Sequence, residues 1–340
     1  MNTTGFVKSA GALLALAICS ACGGAAVAPS NASLDSGYAG RTLSVNGRLV
    51  TAAQASLNVL PRYATIVPDR HAKSKTFEYI INDYGTYASI FDYPKSDKQI
   101  GSITNVGGQG CTNVLYGYGK KTFWIIAGPT QISEYTVPKK LIKSLSDSVG
   151  NPSSCAMDTS GDLAVGILYN PNSGSGGGDI IIFKHASGSG TVMSTPLVEE
   201  YFDGYDNNGD LFFDGFNGSG YFELVELPKG SNKFQAITTS NTVQFPGSVQ
   251  WDGKYLTVTD QGTAEMYQYT IGGTTATLKG TVSLSGSSDC AQTWIATGLV
   301  YCADAGNNDG EVFKYPAGGS IVAVFTGQFD LPLGTVAAKK

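Results

Sequence analysis

Charge is scarce in this chain, since Asp, Glu, Lys and Arg together make up 14% of its 340 residues. The net charge is −5 and the basic residues are scattered, which excludes the clustered basic surface that nucleic-acid binding needs. The only histidines are His71 and His185, and neither has an obvious partner. We therefore interpret both as surface residues and expect no Ser-His-Asp catalytic arrangement.

Glycine and aromatic residues are abundant instead, with 44 Gly, 18 Tyr and 15 Phe. Low charge combined with many glycines and aromatic residues indicates a β-rich protein with many turns, and not a helical or disordered one. Strands favour β-branched and aromatic residues, whereas helix surfaces favour Ala, Leu, Glu, Lys and Arg. Because 340 residues exceed the usual size of one core, two domains or a repeat architecture are expected.

The first thirty residues have the pattern of an export signal. The small and apolar run from Ala10 to Ile18 is too short for a transmembrane helix, which needs about 20 residues, and fits the apolar region of a signal peptide. The following residues, CSACGG (19–24), resemble the lipobox of bacterial lipoproteins. That resemblance implies cleavage before Cys22 and lipidation of Cys22. Cys19 stands where this family usually has Leu, and the alternative is a secreted protein cut after Ala21 or later.

Three parts are predicted along the chain: a lipoprotein signal peptide at 1–21, a lipid-anchored flexible tether and lead-in at 22–75, and a propeller domain at 76–340. The Gly-, Ala- and Ser-rich stretch after Cys22 is typical of a flexible linker. Buried acyl chains contribute about 0.8 kcal/mol per methylene to membrane binding. We therefore expect a membrane-anchored, extracytoplasmic location in the cell envelope, at the outer membrane if the cell has two membranes.

Strand-like segments recur from about residue 76 at intervals of 39 to 48 residues. The first segment type comprises YIIND (79–83), WIIAG (124–128), LAVGI (163–167), LFFDG (211–215), LTVTD (256–260) and VYCAD (300–304). Two further segments follow each of these, and a fourth precedes five of the six. The chain end, PLGTVAA (332–338), supplies the missing one. This repeat predicts an all-β, six-bladed β-propeller of four-stranded antiparallel blades, closed by the C-terminal strand.

The turns between the first two strands of a unit carry a shared pattern. Residues 158–163 and 206–211 both have the sequence D-x-x-G-D-L. In this pattern the chain resembles NHL-type and gluconolactonase-like (TolB-like) six-bladed propellers over residues 76–338. The run FDGYDNNGDLFFDGFNGSG (202–220) is similar to a group of bacterial envelope lipoproteins without an assigned activity. The resemblance implies a fold and an envelope location, and it implies no mechanism.

Four cysteines remain after the two at the lipobox, and they allow three pairings. Cys111 and Cys155 open the innermost strands of neighbouring predicted blades, while Cys290 and Cys302 lie on the two strands of one hairpin. We predict a disulfide within each of these pairs, because such bonds persist outside the cytoplasm. The alternative is buried free thiols. A zinc site is not expected, since the chain has no CxxC motif and the histidines are remote.

Four aspartates, Asp83, Asp214, Asp260 and Asp304, end equivalent predicted strands, so propeller symmetry places them on one face of the ring. Oxygen ligands there could hold Ca²⁺. Gluconolactonase-like propellers hold a divalent cation with a Glu, an Asn and an Asp at the channel mouth, but the first predicted blade has no Glu at the expected place. The favoured alternative is that each Asp accepts hydrogen bonds from the backbone of its own turn, and that no cofactor is bound.

Three functions remain open at this stage. The favoured one is a non-enzymatic, monomeric binding or interaction scaffold that uses its loop face to bind an envelope protein or polysaccharide. Trp251, in the turn QWDGKY, is a candidate contact for such a ligand. The second is a divalent-metal-dependent, lactonase-like hydrolase at the channel mouth. The third is a purely structural envelope protein with no specific ligand.

Overall fold

The structure is a computed structural model that describes residues 75–82, 86–170, 172–173 and 177–340, and the backbone of two further strands. Those two strands, β1 (Thr42–Val45) and β2 (Arg48–Thr51), pair antiparallel. The predicted signal peptide, the lipidation site Cys22 and the metal candidate Asp83 lie outside the described residues. Within the part of the chain that is described, no helix has the length and apolar character needed to cross a bilayer.

From residue 76 the described chain consists of short strands joined by turns, and its one helical element is a 3-10 turn at Lys184–Ala186. The strands are β3 (Thr76–Asn82), β4 (Tyr87–Phe91), β5 (Gln99–Thr104), β6 (Gly110–Thr112), β7 (Gly119–Lys120), β8 (Thr122–Ile126), β9 (Gln131–Thr136), β10 (Lys140–Ser146), β11 (Pro152–Met157), β12 (Leu163–Ile167), β13 (Asp179–Phe183), β14 (Thr191–Ser194), β15 (Glu199–Tyr205), β16 (Leu211–Phe216), β17 (Phe222–Leu227), β18 (Gln235–Thr239), β19 (Val249–Trp251), β20 (Leu256–Asp260), β21 (Glu265–Gly272), β22 (Thr275–Ser285), β23 (Cys290–Ala296), β24 (Leu299–Asp304), β25 (Asp309–Lys314), β26 (Gly319–Ser320), β27 (Ala323–Phe325) and β28 (Pro332–Lys339).

These strands form mainly antiparallel sheets in a propeller-like arrangement, which confirms the prediction of an all-β fold. Four separate sheets have four or five strands each, in the orders β10-β9-β8-β6, β11-β12-β13-β14, β23-β24-β25-β27 and β5-β4-β3-β28-β7. A nine-stranded sheet contains β15 to β22 together with β26. Four blades therefore stand apart as separate sheets, and the predicted count of six depends on how the nine-stranded sheet is divided.

The C-terminal strand completes the first sheet, as the repeat predicts. Strand β28 pairs antiparallel with β3, so that Val336 lies opposite Tyr79 and Ala338 lies opposite Phe77. Seven of the eight residues of β28 are buried. The pairing joins the two ends of the repeat region and leaves neither β3 nor β28 with an unpaired edge at this junction.

Burial falls from the innermost strand of a sheet to its outermost strand. In the sheet β11 to β14, every residue of β11 and β12 is buried, β13 has one partly exposed residue, and β14 has none that is buried. The inner strand, PSSCAM, is rich in small residues because strands from several sheets converge there.

Hydrophobic clusters fill the interfaces between consecutive groups of strands. They join β6–β10 to β11–β14, β11–β14 to β15–β18, β15–β18 to β19–β22, and β19–β22 to β23–β27. A fifth cluster, which includes Tyr79, Phe123 and Tyr301, joins the sheet of β28 and β3–β5 to both β6–β10 and β23–β27. The core therefore lies between the sheets and runs in a closed circuit.

Candidate functional site: the axial channel and a groove at Trp251

The turn after β15 illustrates how acidic residues shape the loops. The Asp206 carboxylate Oδ1 accepts hydrogen bonds from the backbone N–H groups of Asn208 (2.8 Å) and Asp210 (3.0 Å). Gly209 has φ 87°, a conformation that glycine adopts without strain. Asp158 makes matching bonds in the turn after β11. Both acidic side chains therefore hold the D-x-x-G-D-L turns in place, as their pattern predicts.

Asp260, at the end of β20, is used in the same way. Its Oδ2 accepts a hydrogen bond from the backbone N–H of Gln244 (2.8 Å), and its Oδ1 accepts bonds from the N–H groups of Phe245 (3.1 Å) and Gly262 (2.8 Å). Two of these donors, Gln244 and Phe245, come from the loop that precedes β19. The side chain thus ties that loop to the turn between β20 and β21.

Asp304 occupies the equivalent position at the end of β24. Its Oδ2 accepts hydrogen bonds from the Ser287 hydroxyl (2.6 Å) and the Ser288 N–H (2.7 Å). Its Oδ1 accepts bonds from the N–H groups of Asp289 (3.1 Å) and Asn307 (2.7 Å). A carboxylate can accept about four hydrogen bonds, so these four donors use all the lone pairs of Asp304.

Asp214 was predicted to end its strand, but it lies inside β16, which continues to Phe216. It also differs because one of its oxygens has no hydrogen-bond partner. Its other oxygen accepts a bond from the Gly247 N–H (3.2 Å), and burial raises its pKa well above the ordinary value. Among the described residues, one group of three or more His, Cys, Asp or Glu side chains has ligand atoms within 4.8 Å of one another, and it consists of Cys302, Asp304 and Glu311. The sulfur of Cys302 is in a disulfide, so the described members of the predicted calcium set share no coordination point, and that site stays a prediction.

Both predicted disulfides are present. Cys111 and Cys155 join the inner strands β6 and β11 of neighbouring sheets, with Cα atoms 5.7 Å apart. Cys290 and Cys302 join β23 and β24 within one sheet, with Cα atoms 5.6 Å apart. All four cysteines are buried, so the two bonds brace the molecule close to its axis.

The centre of the ring is crossed by glutamine side chains that bond to strands of other sheets. Gln109 Nε2 donates to the Tyr201 carbonyl oxygen (2.9 Å). Gln292 Nε2 donates to the Gly110 carbonyl oxygen (2.8 Å), while its Oε1 accepts a bond from the Thr335 N–H (2.8 Å). These amides link strands far apart in sequence and satisfy backbone groups at the axis.

Residues 113–118, here called the covering segment, close one mouth of the axial channel. Gln250 Nε2 donates to the Leu115 carbonyl oxygen (3.0 Å), and Trp294 Nε1 donates to the Gly117 carbonyl oxygen (2.8 Å). Both donors lie on the inner strands of other sheets, Gln250 on β19 and Trp294 on β23. The segment is therefore held across the channel by specific hydrogen bonds.

Two carboxyl groups are buried beside the axis on β15. Glu200 accepts hydrogen bonds from the hydroxyls of Ser154 (3.2 Å) and Ser153 (3.4 Å). Neither oxygen of Asp203 has a hydrogen-bond partner, although the residue is only 7% exposed. Burial raises the pKa of Asp203 to about 8 and that of Glu200 well above its ordinary value. These acids were not singled out from the sequence, because their segment has the pattern of a short inner strand.

The cavities along the axis are too small for an organic substrate. One, of about 30 Å³, lies beneath the covering segment and is lined by Asp203, Gln250 and Thr293 among others. The second, of about 20 Å³, is lined by residues that include Gln109 and Gln261. Pockets that bind small molecules usually have volumes of about 300–1,000 Å³. The axial cavities have room for a few water molecules or ions only.

A surface groove of about 370 Å³ lies between β15–β18 and β19–β22, and it is called the Trp251 groove. Its aromatic side chains are Phe212, Trp251 and Tyr269. Trp251 ends β19 and is partly buried, while the other two are buried. The turn after Trp251 is fixed because the Asp252 carboxylate accepts a bond from the Lys254 N–H (2.7 Å). The groove thus offers an aromatic surface on a fixed backbone, at the residue predicted as a ligand contact.

The polar side of the Trp251 groove is dominated by hydrogen-bond acceptors. Asp206, Asp210 and Glu226 line it, and Lys254 is the one cationic side chain among its described lining residues. Glu226 is mostly buried and accepts a bond from Gln235 Nε2 (2.6 Å), and burial raises its pKa. A ligand that donates hydrogen bonds, through hydroxyl or cationic groups, fits this surface best.

Comparison with known proteins places the chain by fold alone. No protein-family model matches it, and no curated protein matches it. A solved structure, a crystal structure of a nidogen/laminin complex, contains a chain similar to this one with a TM-score of 0.57 and 12% identity. The similarity covers 77% of this chain and 98% of that chain. The class that fold and comparison define is an all-β protein of the propeller type.

Proposed function

We propose that this protein is a lipid-anchored, extracytoplasmic β-propeller that acts as a non-enzymatic binding scaffold, with the Trp251 groove as its ligand contact. The observation that carries the proposal is the contrast between this groove, of about 370 Å³, and the axial cavities of about 30 and 20 Å³. The space that is large enough for a small ligand is therefore the surface groove, which lies next to the aromatic side chain of Trp251.

The proposal includes six blades. It divides the nine-stranded sheet into β15–β18 and β19–β22, because these two antiparallel runs are joined only by a parallel pairing of two residues in β18 with two in β22. A hydrophobic cluster lies between the same two runs, as it does between the other neighbouring sheets. This division gives six four-stranded units, of which the first includes β28. The two-residue strands β7 and β26 lie outside these units and pair with β28 and β22.

Two features support the envelope location. The residues before Cys22 resemble the lipobox of anchored lipoproteins, and the two disulfides are of the kind that persists outside the cytoplasm. Labelling with a fatty-acid analogue tests the anchor directly. We expect label on the wild-type protein and none on Cys22→Ser, and label retained on the variant would contradict lipidation at that residue.

Binding is tested with isolated envelope polysaccharide and envelope protein fractions by biolayer interferometry. Since truncating a central contact residue typically costs about 2 kcal/mol or more, Trp251→Ala should weaken binding by about thirtyfold or more. Tyr221→Ala is the matched control, because Tyr221 is 72% exposed and lies in the turn between β16 and β17, away from the groove. Equal binding by both variants, or no binding to either fraction, would contradict the proposal.

The lactonase alternative has a separate test. Hydrolysis of lactones by the purified protein, abolished by a chelator and restored by Ca²⁺, would favour an enzyme. Under the scaffold proposal we expect no such activity, since Asp260 and Asp304 are occupied by hydrogen-bond donors of their own loops.

A further inference from the structure

The Asp203 carboxylate is buried beside the axis without a hydrogen-bond partner for either oxygen. The hydroxyl of Ser154 lies near both Asp203 and Glu200, and its single hydrogen is donated to Glu200 at 3.2 Å. An uncompensated carboxylate in such a place strongly destabilises the fold. Buried polar groups in folded proteins are almost always matched by a partner, so the site calls for one.

The surroundings of Asp203 favour a cation as that partner. The cavity of about 30 Å³ that it lines has no Lys, Arg or His among its described lining residues. Two more buried carboxyl groups, Glu200 and Asp214, lie close enough to interact electrostatically with Asp203. When these carboxyl groups are ionised, the local charge is negative, and the cavity has room for one small occupant.

Neutral oxygens line the same cavity. Ser248 Oγ donates its hydrogen to the Thr293 carbonyl oxygen (3.0 Å), so its lone pairs remain available. Gln250 Oε1 accepts a hydrogen bond from the Ile295 N–H (2.8 Å), and an amide oxygen has two lone pairs. A carboxylate together with hydroxyl and amide oxygens is the ligand set that hard cations prefer.

We propose that the axial cavity binds a hard metal cation, with Asp203 as its anionic ligand and with Ser248 and Gln250 as neutral oxygen ligands. The site differs from the four aspartates at the strand ends, because it lies on the inner strand β15 and beside β19. A bound cation would join these strands beneath the covering segment. The proposal is independent of binding at the Trp251 groove.

The test measures metal content by inductively coupled plasma mass spectrometry and thermal unfolding of the purified protein. After dialysis against a chelator, we expect Ca²⁺ at about 100 times its dissociation constant to raise the melting temperature by several degrees. Asp203→Asn should abolish this response. Asp260→Asn is the control, because it removes a buried carboxylate whose oxygens are already hydrogen-bonded, and it should keep the response despite a lower melting temperature.

Two outcomes would overturn the proposal. One is wild-type protein that carries no metal and whose melting temperature does not respond to Ca²⁺, Mg²⁺ or Na⁺, which would assign a proton or water to Asp203. The other is an Asp203→Asn variant that keeps the full response, which would put the cation elsewhere. If Asp203→Asn does not fold, Ser248→Ala replaces it, and an unchanged response in that variant would count against the site.

Discussion

The disulfide between Cys111 and Cys155 should contribute more to stability than the one between Cys290 and Cys302. The two bonds close chain segments with sequence separations of 44 and 12 residues. In the chain-entropy model, these loops correspond to about 4 and about 3 kcal/mol at 25 °C. Cys111→Ala/Cys155→Ala should therefore lower the free energy of unfolding by about 1 kcal/mol more than Cys290→Ala/Cys302→Ala.

Equilibrium unfolding in guanidinium chloride, followed by tryptophan fluorescence, checks this order. Both double variants remove two buried sulfur atoms, so the loss of packing is matched and the difference reports mainly on loop length. The slope of the free energy against denaturant should also rise most for Cys111→Ala/Cys155→Ala, because its unfolded chain loses the longer cross-link. A larger destabilisation of Cys290→Ala/Cys302→Ala would refute the reasoning.

Two further predictions concern buried carboxyl groups. Because burial raises the pKa of Glu311 to about 8, the folded chain keeps a proton that the unfolded chain releases above the ordinary pKa of Glu. The free energy of unfolding should therefore fall as the pH rises towards 8, by up to about 1.4 kcal/mol per pH unit from this group. Glu311→Gln should reduce that slope between pH 5 and 9, and equal slopes for the two proteins would count against this assignment. Gly166→Ala should cost about 1–3 kcal/mol in chemical denaturation, because the added methyl group would clash with the Glu200 carboxylate. Gly218→Ala is the control, because no atom lies within 4 Å of the added carbon. An equal loss of stability in the two variants would contradict the predicted clash.

The strands could be predicted from the sequence because their signals are local. Apolar runs such as IIIF in β13 and the Asp/Asn/Gly turns recur along the chain, and each turn is stabilised by its own residues, as Asp206 shows. The pairing of β28 with β3 could also be predicted from the sequence, because the repeat lacks one strand at its start and has one extra strand at its end.

The interior of the ring could not be predicted in the same way. Gln250 contacts Leu115 across 135 residues, and Gln109 contacts Tyr201 across 92. Such contacts exist only after the sheets have closed, and no periodicity in the sequence marks them. Asp203 was overlooked for the same reason, because its burial depends on neighbours from other sheets.

The Trp251 groove was predicted in part. Trp251 itself could be identified as an aromatic residue in a turn, but Asp206 and Glu226 join it from the neighbouring group of strands. The strand-end aspartates illustrate the opposite case. Their common face follows from the repeat, whereas the donors that occupy Asp260 and Asp304 come from loops whose path only the structure gives.

The central claim is that the last strand closes the ring, since the neighbours of every residue at the axis and in the groove depend on it. Thermal unfolding of a chain that ends at Leu331, followed by circular dichroism, tests this claim most directly. Removing β28 exposes β3 and the cluster around Tyr79, so we predict loss of cooperative unfolding and its recovery when a synthetic peptide of residues 332–340 is added. A shortened chain that unfolds cooperatively at the wild-type midpoint would contradict the account.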